Sequence, residues 1–148
     1  MSDTEPEVSV FRFDRPGIRK VLGDLEAEIM EFIWGHPAGE GTTVRDVFEA
    51  LYARRRIAYT TVMSTMTRLA KKNLLRVEKD DQAYVYHPNF SQEEFVSRFV
   101  GHILEDLMVS FADATFKELS TLSDPQAAAR AQRLLDEIAR RRAVEEGE

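Results

Sequence analysis

The chain has 148 residues, of which 43% are hydrophobic and 31% charged, and its formal net charge at pH 7 is −6. It contains no cysteine, which excludes disulfides, iron–sulfur clusters, cysteine-ligated zinc and copper sensing through thiolates. No apolar run approaches the roughly 18 residues that a membrane-spanning helix needs, and the acidic first eight residues do not resemble a signal peptide. These properties predict a cytoplasmic protein with one small domain, alone or with a helical extension.

The basic residues are concentrated in one stretch of the chain. Residues 52–79 contain eight basic residues and one acidic residue, whereas both flanking regions are acidic. Because concentrated like charge repels itself, a surface that neutralises phosphates is one explanation for such a stretch. The alternative is a solvated helix face that is basic without binding anything. The acidic remainder of the chain indicates that any contact with nucleic acid is local.

The first part of the chain predicts an arm followed by two helices. Residues 1–19 contain acidic residues and two prolines and show no sustained hydrophobic period, so we expect a flexible N-terminal arm. The alternative is a short ordered piece that packs on the body of the protein, because Phe11 and Phe13 alternate with Arg12. Residues 22–34 carry apolar side chains at helical spacing, and Pro37 lies just beyond them. Thr43 and Asp46 have the spacing of a capping box, which predicts a second helix that runs to about Arg54.

The third predicted helix covers residues 59–72 and has an unusual outer face. Its inward positions are Val62, Met66 and Leu69. Hydroxyl residues are mediocre helix formers because they compete for backbone hydrogen bonds, yet five of them lie between Thr60 and Thr67. This composition favours a surface with a task other than helix stability.

The second half of the chain predicts a hairpin and further helices. Residues 74–79 and 83–87 alternate with a period of two and flank a polar turn, which is typical of a β-hairpin. Ser91 and Glu94 form a capping box that opens a long helix to about residue 110. A short helix follows at 114–122, and then Asp124 and Pro125 predict the start of a last helix.

The order of these elements predicts a mainly α fold with a small β-wing. Three helices and a hairpin are typical of a winged helix-turn-helix, here followed by further C-terminal helices. We therefore predict a DNA-binding domain at 20–89, a helical domain at 90–142 and a disordered tail at 143–148.

In such a fold the third helix enters the major groove and the wing lies along the DNA backbone. Hydroxyls near the start of the helix would meet phosphates and base edges, while Arg68 would read a guanine edge or neutralise a phosphate. Arginines and lysines before the helix and on the wing would clamp the backbone, although each one alone could be an ordinary solvated charge. The predicted DNA-binding residues are Arg55, Arg56, Thr60, Thr61, Ser64, Thr67, Arg68, Lys71, Arg76 and Lys79.

Four segments of the chain resemble the penicillinase-repressor family of BlaI/MecI type, with its CopY-type relatives. They are residues 22–34, 43–47, 58–69 and 84–86, and the most specific is Ala58-Tyr59-Thr60-Thr61-Val62 with the following Thr67-Arg68-Leu69. The resemblance covers about residues 22–111. It implies a dimeric winged-helix repressor of an inverted-repeat operator, with a DNA-reading role for Thr60, Thr61, Ser64 and Arg68.

The resemblance also implies that residues 90–142 are a C-terminal helical dimerisation region, in which the apolar band mediates dimerisation. A band of this breadth is difficult to bury in a small monomer, although an intramolecular core is the alternative. The residues concerned are Phe95, Phe99, Val100, Ile103, Leu104, Leu107, Met108, Phe111, Leu134, Leu135 and Ile138. Members of the β-lactam branch can be inactivated by a cut in this region, induced by a membrane sensor protease. One alignment with the family puts the bond at Ser110–Phe111, and another puts it within residues 116–119.

Nothing in the sequence indicates an enzyme. The chain has no Ser-His-Asp ordering, phosphate loop or metallohydrolase motif. Its three histidines, His36, His87 and His102, share no ligand spacing, so we expect neither a metal nor another cofactor. A sequence-specific repressor is the main hypothesis. The alternative is a protein-interaction adaptor whose basic face binds an acidic protein, and the hydroxyl-rich third helix favours the repressor.

Overall fold

The computed structural model describes residues 4–37, 39–121 and 126–146. The chain divides into two compact units, residues 1–99 and residues 100–148. This division lies ten residues later than the predicted boundary between residues 89 and 90, because the start of the long helix packs into the first unit. The predicted helix start at Asp124 and Pro125 lies outside the described residues.

The architecture is mainly α with a small β-wing, as predicted. The elements are a 3₁₀ helix (Gly17–Lys20), α1 (Asp24–Trp34), α2 (Val44–Tyr52), α3 (Tyr59–Lys71), β1 (Leu75–Asp80), β2 (Ala83–Pro88), α4 (Gln92–Ser110), α5 (Ala112–Thr121) and α6 (Ala127–Glu146). Each predicted helix and strand is present, with ends that differ by a few residues. The structure places residues 143–146 in α6 rather than in a disordered tail.

Both predicted capping boxes form. The backbone N–H of Asp46 donates to Thr43 Oγ1 at 3.1 Å, and the N–H of Thr43 donates to Asp46 Oδ2 at 3.0 Å. Ser91 and Glu94 make the same pair of hydrogen bonds at 2.8 and 3.0 Å. Each box satisfies backbone donors that the first helical turn leaves unpaired, and so fixes where α2 and α4 begin.

The core of the first unit lies between α1, α2, α3 and the first turns of α4. The inward residues of α3 are fully buried, as the helical spacing predicted. Burial of a large apolar side chain stabilises the fold by about 1.5–3 kcal/mol. The buried side chains include Ile29, Met30, Ile33, Val47, Leu51, Val62, Met66, Leu69, Leu75, Phe95 and Phe99. Because one side of α3 is fixed in this core, its opposite side must face outward.

The wing is an antiparallel two-stranded sheet with Leu75 opposite Pro88 and Asp80 opposite Ala83. It is attached to the start of α2 by two backbone hydrogen bonds between Thr42 and Tyr86, with N···O distances of 2.8 and 3.0 Å. Gly41 beside this bridge is required by close approach, because an added Cβ would lie 1.7 Å from a methyl group of Val85. The wing is therefore held on the body of the first unit.

The N-terminal segment is packed on the first unit, so the prediction of a flexible arm at residues 1–19 is wrong for the described part of that segment. The N–H of Glu7 donates to the carbonyl of Lys72 at 2.8 Å, and Asn73 Nδ2 donates to the carbonyl of Glu5 at 3.1 Å. Glu5 also pairs with Arg98 at 2.5 Å, and Pro6 is buried. These contacts span more than 60 residues of sequence, which a local hydrophobic period does not reveal.

The second unit exposes its apolar side chains. Wherever burial is described between residues 100 and 146, no side chain is buried. Large hydrophobic residues on α4, α5 and α6, and Phe111 between α4 and α5, are more than one-third exposed. Those on the helices include Leu104, Leu107, Phe116, Leu134 and Leu135. None of the helices in the described ranges is long and apolar enough to cross a membrane.

Candidate nucleic-acid interface

The outer face of α3 brings the predicted DNA-reading residues together. Six of them are exposed on this helix: Thr60, Thr61, Ser64, Thr67, Arg68 and Lys71. The hydroxyl of Ser64 donates to the carbonyl of Thr61 at 3.2 Å, and that of Thr67 donates to the carbonyl of Met63 at 2.9 Å. These internal bonds leave the hydroxyl oxygens able to accept, and a hydroxyl can rotate toward another acceptor. The face therefore presents small, adaptable polar groups.

Thr65 does not belong to this face. Its side chain is buried, and its hydroxyl donates to the carbonyl of Thr61 at 2.8 Å. The sequence stretch contains five hydroxyl residues, and the structure separates this one as part of the core.

Buried Glu26 of α1 binds two cations of the third helix and its C-cap. Glu26 Oε2 accepts from Lys72 Nζ at 2.9 Å and from Arg68 Nε at 3.3 Å. Its other oxygen accepts the backbone N–H of Gly23 at 2.9 Å, at the start of α1. Burial alone would raise the pKa of Glu26, but the hydrogen bond from Gly23 and the two cations outweigh it and lower the pKa below its usual value. Glu26 thus stays ionised and links α1 to the end of α3.

Other predicted backbone clamps also have partners within the chain. Arg55 pairs with Glu28 of α1 at 2.5 Å. Arg76 donates to the carbonyl of Pro88 at 3.1 Å and lies 3.5 Å from the carboxylate of Glu78. These two arginines remain about half exposed, so each can still offer N–H groups outward.

Lys71 and Lys79 differ from these arginines. Both are exposed, and neither forms an ion pair with a residue in the described ranges. Lys79 lies on the wing opposite Tyr84, whose ring is also exposed. Among the described residues, neither lysine has an ion-pair or cation–π partner, unlike Arg55, Arg56 and Arg76.

An aromatic cluster at the start of α3 was not among the predicted site residues. The ring of Phe48 lies 5.3 Å from that of Tyr52 and 5.4 Å from that of Tyr59. Arginines lie over the two tyrosine rings: Arg45 over Tyr59 at 5.9 Å, and Arg56, a predicted site residue, over Tyr52 at 5.5 Å. Cation–π contacts of this kind hold a guanidinium in place while it remains partly hydrated. The helical spacing of residues 45, 48 and 52 was the sequence signal for this cluster.

Two residues assigned to dimerisation lie elsewhere. Phe95 and Phe99 are buried in the first unit, where the ring of Phe95 lies 5.8 Å from that of Trp34 and 5.4 Å from that of Phe99. They are therefore core residues of the single chain, contrary to the sequence prediction. The other residues of that set belong to the second unit and are exposed or, for Ile103 and Met108, half-buried.

Within the described residues, no group of three or more histidine, aspartate or glutamate side chains is arranged to hold a metal ion. His36 lies against the carbonyl of Phe32 at 3.2 Å, and His87 lies 3.4 Å from the carboxylate of Glu78. Each of these histidines therefore has a local partner within the fold.

The stability of the protein should fall in acid partly because of Glu26. A carboxylate whose pKa is lowered by folding stabilises the fold above its unfolded pKa of about 4.3, and that contribution is lost as the pH falls through the folded value. Urea unfolding between pH 7 and pH 2 measures the effect. Glu26→Gln should be less stable at pH 7 by roughly 1–2 kcal/mol, because a neutral amide replaces the carboxylate in the hydrogen bonds from Lys72 and Arg68. Its free energy of unfolding should also fall less steeply than that of the parent as the pH is lowered.

Glu31→Gln is the matched control, since Glu31 is an exposed carboxylate of the same helix that lies 3.7 Å from Arg19. Its free energy of unfolding should match that of the parent at pH 7 and should fall equally steeply as the pH is lowered. If the free energy of unfolding fell equally steeply with pH in Glu26→Gln and the parent, the role given to Glu26 would be contradicted.

The chain is similar to transcriptional regulators over most of its length. The family model for "Penicillinase repressor" matches residues 22–139. Two curated sequences named "Transcriptional regulator BlaI", from Mycobacterium tuberculosis strains CDC 1551 / Oshkosh and ATCC 25618 / H37Rv, are 50% identical over 76 residues. That match covers 51% of this chain and 54% of each relative, so the chain spans about half the length of these relatives.

A more distant relative is the "Penicillinase repressor" of Bacillus licheniformis, 25% identical over 100 residues, which cover 62% of this chain and 76% of the relative. The solution structure of the DNA-binding domain of the repressor BlaI aligns with 26% identity and a TM-score of 0.44, over 54% of this chain and 93% of that one. The transcription regulator MepR of Staphylococcus aureus aligns with 18% identity and a TM-score of 0.42, over 78% of each chain.

The family match extends from the first residues before α1 into α6, and so includes the wing and the outer face of α3. This is a family of transcriptional repressors rather than of enzymes. The chain belongs to the penicillinase-repressor family.

Proposed function

We propose that this protein is a sequence-specific DNA-binding transcriptional repressor that acts as a homodimer on an inverted-repeat operator. The observation that carries the proposal is the outer face of α3, where exposed hydroxyls and a lysine lie opposite a fully buried apolar side. The regulatory activity named for its relatives supports the same function.

The first two turns of α3 suit the reading of base edges. In helix-turn-helix proteins the N-terminal residues of the recognition helix contact bases in the major groove. Thr60, Thr61 and Ser64 occupy these turns and are exposed. Short hydroxyls can donate to or accept from base edges and phosphates, and the threonine methyl can contact a thymine methyl. Thr67 and Lys71 continue the face toward phosphates.

The wing and the turn before α3 would hold the DNA backbone. Lys79 and Arg76 lie on β1, and Arg55 and Arg56 lie between α2 and α3. Phosphate contacts from such positions fix the register of a protein on the duplex without reading sequence. Because Arg55 and Arg76 already bind carboxylates of this chain, we expect each to share its remaining N–H groups with a phosphate.

A second copy of the chain would cover the apolar surface of the second unit. Leu104, Leu107 and Phe111 of α4 and its end are exposed, as are Leu134 and Leu135 of α6. A contiguous apolar surface is unfavourable in water and is a mark of association. A twofold dimer would present two α3 helices to the two halves of a palindromic operator. We accordingly place DNA binding in residues 1–99 and dimerisation in residues 100–146.

We also propose that a sensor protease in the membrane inactivates the repressor by cutting its dimerisation region. α4 ends at Ser110 and α5 begins at Ala112, so Phe111 is the one residue between them. Its side chain is 63% exposed. A break between helices opens to a protease more readily than a helix interior, which favours the Ser110–Phe111 bond over the alternative at residues 116–119.

Binding to the DNA upstream of its own gene tests the repressor proposal. We expect one sequence to be preferred over an unrelated duplex, with an affinity that falls steeply as salt rises and a log–log slope of several units, because lysines and arginines release counterions. Fluorescence anisotropy between 50 and 300 mM salt measures the slope. Equal, weak binding to every duplex at moderate salt would instead support the adaptor hypothesis.

Leu104→Asp or Leu107→Asp should convert the dimer into monomers, because the charge would be buried in the interface. Sedimentation velocity measures the change from dimer to monomer. The affinity for the operator should also fall by a factor of about 10²–10⁴, because the two DNA-binding units are no longer linked. Val109→Asp is the control, since Val109 is 85% exposed and helical spacing places it on the opposite side of α4. An unchanged dimer in all three variants would refute this interface.

A further inference from the structure

Glu26 lies in α1, yet its carboxylate binds Arg68 of the outer face of α3 and Lys72 at the end of that helix. We propose that Glu26 is a specificity-determining positioning residue, which withholds Lys72 from phosphate and fixes Arg68 by its Nε, so that Lys71 is the phosphate-binding lysine of this helix. The inference rests on the proposed DNA-binding function and assigns roles within that site.

The contact geometry separates the two adjacent lysines. Lys72 Nζ lies 2.9 Å from Glu26 Oε2, and only 30% of the Lys72 side chain is exposed. The Glu26 side chain is 7% exposed, so its charge is shielded from water. Lys71, one residue earlier, is exposed and has no carboxylate partner within the described ranges. The sequence alone makes these two lysines equivalent, whereas the fold does not.

Helical geometry places the two lysines on different sides of α3. Lys71 follows Ser64 by seven residues, a spacing that keeps two side chains on one face with a drift of only about 20°. Lys72 follows Arg68 by four residues, and both side chains turn toward α1, where Glu26 accepts from them. Lys71 therefore lies on the outer face of α3 in line with Ser64, whereas Lys72 lies beside that face.

The buried carboxylate resists the loss of Lys72. If Lys72 moved to a phosphate, Glu26 would remain buried with less compensation, which is strongly unfavourable. A phosphate that approached the pair would also be repelled by Glu26 itself. DNA binding therefore gains little counterion release from Lys72, and its contribution to sequence-independent affinity is small.

Glu26 orients the Arg68 side chain but leaves it able to contact DNA. Its hydrogen bond to Glu26 uses Nε at 3.3 Å, and the two terminal nitrogens carry four further N–H donors. The side chain is 55% exposed. Glu26 thus orients the guanidinium while its outer edge can still meet DNA. Positioning by a buried carboxylate restricts the directions in which Arg68 can donate, which favours one contact over many.

The test compares Lys71→Met with Lys72→Met in the full-length protein, with the salt dependence of operator binding as the readout. Removing one phosphate contact lowers the log–log slope by about 1 per subunit. We expect that decrease for Lys71→Met and no change of slope for Lys72→Met. An equal decrease in the two variants would overturn the inference.

Glu26→Gln is the reciprocal variant, and circular dichroism shows whether it is folded. Release of Lys72 and Arg68 should steepen the slope by about 1–2 units per subunit and lower the ratio of operator to non-operator affinity at least threefold. Glu31→Gln removes the same charge from the same helix and should keep the parent ratio. If Glu26→Gln and Glu31→Gln behave alike, the inference fails.

Failure of this inference is distinct from failure of the proposed function. If the parent protein prefers no DNA sequence, both the proposed function and the inference about Glu26 fail. If the parent binds its operator and the slopes of Lys71→Met and Lys72→Met are equal, only the inference about Glu26 fails.

Discussion

The burial of one side of α3 is the constraint on which the rest of the structure depends. Val62, Met66 and Leu69 are fully buried against the other elements of the first unit, so the rotation of α3 about its axis is fixed by packing. A well-packed core tolerates little displacement, so the positions of the outward-facing residues of α3 are fixed as well. The hydroxyl face that α3 presents is therefore a consequence of the core rather than a separate feature.

Ion pairs within the first unit then bind some of the basic residues of the 52–79 stretch and leave others exposed. Carboxylates of α1 bind three of them: Glu26 binds Arg68 and Lys72, and Glu28 binds Arg55. The charge that can act on phosphates is smaller than the sequence count suggests, which reduces sequence-independent attraction. For the proposed repressor, the short polar groups of α3 and the oriented guanidinium of Arg68 would then supply the discrimination between base pairs.

Local signals in the sequence were sufficient for the elements, and long-range contacts were not. The capping boxes at Thr43 and Ser91 and the inward positions of α3 depend on neighbours within one or two turns, and these predictions are confirmed. Periodicity identified the apolar face of α4 but not what covers it, so Phe95 and Phe99 were assigned to a dimer instead of the core. The partner of Arg68 lies 42 residues away in sequence, and the packed N-terminal segment is also held by distant partners.

The central claim is that the exposed hydroxyls of α3 read base edges, and Ser64→Ala tests it most directly because this small change leaves the core untouched. The measurement is selection of bound duplexes from a random pool, with the parent and the variant compared position by position. The account predicts that the variant loses its preference at one base pair of each half-site, by about 1–3 kcal/mol, and keeps the others. Identical selected sequences for the two proteins would contradict it.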